Sequence, residues 1–186
     1  GFFIIIALGT VLLMLPISSR SGESVGFLNA LFTSTSSTCV TGLVLLDTYN
    51  SWSLFGQVVI LALIQIGGLG FITISVFLAI FLKRKIGLKE RNLIQESVNT
   101  LQLAGTVRLV QKIVIYTAWI EGVGALLLML RFIPQFGWLK GIWYGIFHSI
   151  SAFCNAGFDL MGQFGAYSSL TAYYDDILVN LVIMAL

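Results

Sequence analysis

Residues 33–42 read TSTSSTCVTG, and how the chain accommodates this run decides the fold. Its first six residues carry hydroxyls, Thr41 adds another and Gly42 closes it, yet strongly apolar sequence lies on both sides. The chain of 186 residues is 58% hydrophobic and only 10% charged, with a mean hydropathy of +0.97. Soluble domains sit near 45–50% apolar and about 25% charged. So few charges cannot cover a surface facing water, and lipid is the expected solvent. A net charge of +2 is too small to point to nucleic acid as a partner. The charge is also unevenly spread, with seven of the ten Lys and Arg residues between Lys83 and Lys112 against two acids, Glu90 and Glu96. Cys39 and Cys154 make neither a disulfide framework nor a metal-ligand spacing.

A hydrocarbon core of roughly 30 Å needs about 20 helical residues. Residues 1–17 nearly supply one span, 52–82 exceed one and must tilt or bend, 109–131 fit, and 176–186 begin a fourth. The opening run lacks a basic leader and an A-x-A-like cleavage site, so it reads as a transmembrane helix and not as a signal peptide. Both ends fall inside apolar runs, as expected of a fragment. Segments 25–37 and 139–152 are apolar enough to enter a membrane and too short to cross it, which predicts re-entrant elements. The cluster Lys83, Arg84 and Lys85 makes the basic 83–112 loop cytoplasmic by the positive-inside rule. It could also bind anionic membrane lipids or a cytosolic partner. Residues 86–108 predict an amphipathic cytoplasmic linker helix.

The two halves repeat. Sliding the sequence by 115 positions sets FTSTSSTCVTG (32–42) over FHSISAFCNAG (147–157). Phe32, Ser34, Ser36, Cys39 and Gly42 then meet Phe147, Ser149, Ser151, Cys154 and Gly157. The expectation is an all-α, multi-pass membrane protein built from repeated helix–re-entrant segment–helix units. The first unit would occupy 1–85 and the second, truncated in its last helix, 109–186.

Non-helical backbone survives at membrane depth only inside protein or around a water-filled cavity. A short helix ending at TCVTG brings to such a cavity carbonyls without intrahelical partners, carrying the negative end of the helix dipole. An extended stretch beyond it, ending at glycine, can aim successive carbonyl oxygens one way. Serine and threonine hydroxyls can bond neighbouring backbone groups and hold those oxygens in place. The product is a row of oxygens that replaces the water around a cation. Tight packing between helices through the same hydroxyls is the plainer alternative for one such run; two runs in register favour the filter.

At this point the residues resemble a family. Helix, pore helix, TCVTG and a long helix containing QIGGLGF (65–71) look like the Trk/Ktr/HKT superfamily of potassium uptake proteins, most like the Ktr-type membrane subunit KtrB. The resemblance covers essentially the whole chain. It implies a plasma-membrane protein with four helix–re-entrant pore helix–filter–helix units around one pore, resembling a potassium channel, about two of them here. It also implies filter carbonyls at Thr38, Cys39, Val40, Thr41 and Gly42, and again at Phe153, Cys154, Asn155, Ala156 and Gly157. The second strand departs from the hydroxyl pattern at Phe153 and Ala156. The transported ion would be K+, with Na+ as coupling ion or alternative cargo. In related plant transporters serine at the Gly42 position goes with sodium preference, so Gly42 points to potassium. A homodimer of membrane subunits and a cytosolic nucleotide-binding regulatory ring of the KtrA/TrkA type are further implications, with nucleotide bound only by that partner.

Other residues stand out. Glu121, mid-helix in an apolar run, marks either a pathway or a hydrogen bond to another helix, aided by close approach at Gly122 and Gly124. His148 beside Ser149 would be the nucleus of an intramembrane hydrolase, but no carboxylate signature accompanies it, and support of the pore helix is the expected role. Both cysteines read as small fillers, since no electropositive neighbour is evident. Gly67, Gly68 and Gly70 permit either close packing or a bend. Asp159, Asp175 and Asp176 would lie at the outer mouth. A membrane anchor without transport activity remains a competing function.

Overall fold

A computed structural model describes residues 2–70 and 106–186. Two compact units divide the chain, one of Gly1–Gly68 with Glu121–Leu186 and one of Leu69–Ile120. The described elements are helical: α1 (Phe2–Met14), α2 (Phe27–Thr38), the single turn α3 (Thr48–Ser51), α4 (Leu54–Leu69), α5 (Thr106–Phe136), α6 (Trp138–Phe153) and α7 (Ile177–Ala185), with short 3-10 turns at Pro16–Ser18, Met161–Phe164 and Ser169–Tyr173. The second unit holds the start of α5. The basic cluster Lys83, Arg84 and Lys85 and all but the end of the 86–108 linker lie outside the described residues.

Helix lengths differ from the hydropathy reading. α1 stops at Met14, and at 1.5 Å per residue its 13 residues extend about 20 Å. The break is chemical: Pro16 has no N–H to continue the ladder, and Leu15 before it is extended (φ −62°, ψ 138°). α5 is longer than expected, starting at Thr106 and passing Pro134 in its last turn. Val110–Phe136 is, among the described residues, the one helix long and apolar enough to cross a membrane. α2 and α6 begin and end within two residues of the segments expected to be too short to span.

In the first unit α1 packs on α2. A Cβ at Gly9 would fall 2.5 Å from Ser34 Oγ and 2.8 Å from a Leu63 methyl, so the small residue is what permits the crossing. The apolar core joins Leu13, Trp52, Ile60 and Ile64 to Phe132, Phe147, Leu160 and Val179. Buried beside it is an unusual density of hydroxyls: Thr33, Ser34, Ser36, Ser37, Thr38, Ser149 and Ser151. Large apolar side chains instead point outward, among them Phe3, Leu8, Leu126, Leu139 and Met184. Hydroxyls buried beside an apolar core, under an outer surface rich in large apolar side chains, suit a lipid surround.

Candidate functional site

The ends of α2 and α6 are the same structure built twice. Thr41 N donates to Ser36 O at 3.0 Å, and Ala156 N to Ser151 O at 2.7 Å; Val40 N donates to Ser37 O at 3.4 Å, and Asn155 N to Ala152 O at 2.8 Å. This pair of bonds is the Schellman closure of a helix C-terminus, which requires a left-handed residue just past the cap. Val40 (φ 54°) and Asn155 (φ 55°) fill that place. Asn tolerates it, whereas a β-branched valine there is strained. The expected extended stretch from Thr38 and Phe153 is therefore replaced by a tight turn, with Thr38 and Phe153 the last helical residues. The closure also satisfies carbonyls, at Ser36 and Ser37, that the sequence left free.

Beyond the turns the correspondence holds. Ser36 Oγ donates to Leu43 O at 2.7 Å and Ser151 Oγ to Phe158 O at 2.6 Å, each clamping the backbone that follows the glycine. Ser36 Oγ also meets Thr41 Oγ1 at 2.9 Å, a bond that Ala156 cannot copy. Ser34 Oγ donates to Ile6 O at 2.9 Å and Ser149 Oγ to Glu121 O at 2.7 Å, so hydroxyls 115 positions apart hold carbonyls 115 positions apart. The glycines themselves meet. Gly42 and Gly157 are both left-handed (φ 73° and 69°). A Cβ on Gly157 would lie 3.4 Å from Gly42 Cα, and one on Gly42 would lie 3.0 Å from Ala156 O.

Around this pair two of the three α4 glycines pack closely, a role compatible with a bend. Gly67 lies against Thr38 O with no room for a side chain, and a Cβ on Gly68 would be 2.5 Å from Cys154 Sγ. Gly124 is similarly tight against Ser149 Oγ, whereas among the described residues nothing lies within 4 Å of a Cβ at Gly122. Cys39 is exposed and Cys154 partly buried, and both are free thiols. Glu121 forms the interhelical bond the sequence allowed for, accepting from Gln65 Nε2 at 2.9 Å.

His148 is fully engaged in structure. Leu160 N donates to its Nε2 at 3.2 Å, which leaves Nδ1–H to donate to Tyr144 O at 2.8 Å. Ser149 gives its hydroxyl to Glu121 O and not to the imidazole, so no nucleophile–base pair forms. Two of the three acids assigned to the mouth bond local backbone: Asp159 accepts from Met161 N at 2.9 Å in a tight turn, and Asp176 caps α7 by accepting from Val179 N at 3.1 Å.

Contacts between the repeats were not foreseen. Asp47 accepts from Asn50 N and from Tyr167 N, at 2.8 and 2.9 Å, and Asn50 Nδ2 donates to Gly162 O at 3.1 Å. Trp143 Nε1 donates to Gln57 Oε1 at 2.8 Å. The one available signal was the pair of amides, Gln57 and Gln65, in an otherwise apolar helix.

The TrkH family, described as cation transport proteins, matches residues 2–186. The chain belongs to this family. The TrkH-family chain is 46% identical over 186 residues to the potassium/sodium uptake protein NtpJ of Enterococcus hirae, covering all of this chain and 40% of that one. It is 47% identical over 183 residues to Ktr system potassium uptake protein B of Bacillus subtilis, covering 98% of this chain and 40% of the relative. The protein of the same description from Vibrio alginolyticus is 39% identical over 176 residues, with 95% and 37% covered. The TrkH-family chain thus spans about two fifths of the length of the curated relatives it matches.

Proposed function

We propose that the chain supplies two filter-bearing units of a potassium uptake protein of the plasma membrane. In this reading α2 and α6 are re-entrant pore helices. Backbone carbonyls of Cys39, Val40, Thr41 and Gly42, and of Phe153, Cys154, Asn155, Ala156 and Gly157, line the ion's path, whereas the Thr38 carbonyl packs against Gly67 of α4. The observation that carries it is the meeting of Gly42 and Gly157 at the ends of two identically capped helices. Both helices direct the negative end of their dipoles toward that meeting point, which favours a cation there. Serines 36 and 151 fix the backbone on the far side of each glycine, so the oxygens are held ready for an ion that loses water. Transport of this kind needs no bond-making residue, in keeping with the structural engagement of His148.

Potassium is the favoured cargo because the Bacillus and Vibrio relatives are named for its uptake and because Gly42 lacks a side chain. The potassium/sodium description of the Enterococcus relative favours a second reading in which the same filter also carries sodium. Further parts of the proposal are a homodimer and a nucleotide-binding cytosolic ring docked on the basic 83–112 loop. Complementation of a potassium-uptake-deficient bacterium tests the core of it. The whole protein should restore growth at low potassium, and Gly42→Ser should impair it; growth indifferent to the substitution would overturn the filter assignment.

A further inference from the structure

The filter reading leaves the buried carboxyl of Glu121 without a role. Glu121 is 8% exposed within the apolar helix α5. Among the described residues no cation meets it, the ion pair there being Arg131 with Asp176. Its side-chain partner is the Gln65 amide, whose Nε2 donates to Glu121 Oε1 at 2.9 Å. The other end of that amide, Gln65 Oε1, is buried and has no donor among the described residues.

An ionised carboxylate only accepts, so it would leave itself without a counter-charge and Gln65 Oε1 without a donor. Each is a penalised state in a low-dielectric interior. Protonation removes both problems, because the carboxyl gains an O–H donor while keeping an acceptor oxygen. A carboxylic acid and a carboxamide are complementary partners, with N–H to C=O in one direction and O–H to C=O in the other.

We propose that Glu121 is held as a neutral carboxylic acid that exchanges two hydrogen bonds with the Gln65 carboxamide, latching α5 to α4 immediately before the glycines that seat the filter turns. The latch acts as a positioning element. Gln65 stands just ahead of Gly67 and Gly68, which lie against Thr38 O and Cys154 Sγ. Glu121 also accepts Ser149 Oγ at its own main-chain oxygen, so one residue holds α4 by its side chain and α6 by its backbone. This positioning role rests on the filter reading; the protonation state does not.

The test pairs transport with infrared spectroscopy of the whole purified protein. Glu121→Gln replaces the neutral acid with a group that can still exchange two hydrogen bonds, so potassium uptake should stay within about twofold of the parent, whereas Glu121→Ala orphans the amide and should lose about tenfold or more. The swap Gln65→Glu with Glu121→Gln should recover uptake over Gln65→Ala. At neutral pH the parent should show a protonated-carboxyl C=O band that Glu121→Gln lacks. Absence of that band, or a Glu121→Gln protein as impaired or as poorly folded as Glu121→Ala, would overturn the proposal. Gly42→Ser distinguishes the two claims: if it leaves uptake unchanged the filter reading fails, while the infrared band still reports on the latch.

Discussion

Gly67 lies directly against the carbonyl oxygen of Thr38, the last residue of α2, with no space for a Cβ between them. The obstacle is backbone, which cannot swing aside as a flexible side chain can. Gly67→Ala should therefore destabilise the fold by about 1–3 kcal/mol, the usual range for overpacking. Thermal unfolding in detergent measures it, with Gly122→Ala as control. Among the described residues nothing lies within 4 Å of a Cβ at Gly122, so its replacement should be neutral or stabilising by up to about 1 kcal/mol. Equal effects at the two positions would show that packing against α2 is not what excludes a side chain.

Ser36 and Ser151 should behave as a matched pair. Each loses a short bond to the carbonyl beyond its glycine when changed to alanine, which should cost about 1–3 kcal/mol. Ser36→Ala should be the worse of the two, since its hydroxyl also meets Thr41 Oγ1. Denaturant titration of the single variants decides the order.

Val40 occupies a left-handed conformation that its counterpart Asn155 adopts with less strain. Val40→Asn should raise stability by about 1 kcal/mol, a fraction of the penalty a side chain bears in that region. A fall in melting temperature would mean that the valine methyls, one of which packs toward Gly67, outweigh the strain.

Asp176 gives the N-terminal end of α7 a pH dependence. Slight burial pushes its carboxyl up, but the Arg131 guanidinium and the amides of Val179 and Leu178 together hold it below the ordinary value. A carboxyl depressed on folding contributes stability that is fully present above the ordinary carboxylate pKa and is lost as pH falls through the folded value. Unfolding measured from neutral to acidic pH should show that loss, and Asp176→Asn should flatten the acid limb. Removing the cap altogether with Asp176→Ala should cost about 1 kcal/mol at neutral pH.

The repeat was legible because its code is local. Ser36 and Ser151 reach the carbonyls after their glycines from seven residues back, so spacing alone preserved that part of the motif. The turn geometry was not legible: nothing in TCVTG announces that a valine will accept a left-handed conformation to close the helix. Hydropathy overran the end of α1 because Ile17 is as apolar as what precedes Pro16, and it cannot register a missing N–H. The links Gln65–Glu121, Gln57–Trp143 and Asp47–Tyr167 span 56, 86 and 120 residues, and no periodicity joins positions so far apart. Only the presence of amides and a carboxylate among apolar neighbours hinted that partners must exist.

The most direct measurement is the ratio of potassium to sodium flux through the whole protein in liposomes, before and after Gly42→Ser and Gly157→Ser. If the two glycine backbones border one ion path, each substitution should lower potassium flux and shift the ratio toward sodium. Unchanged flux and an unchanged ratio in both variants, in protein that remains folded, would contradict it.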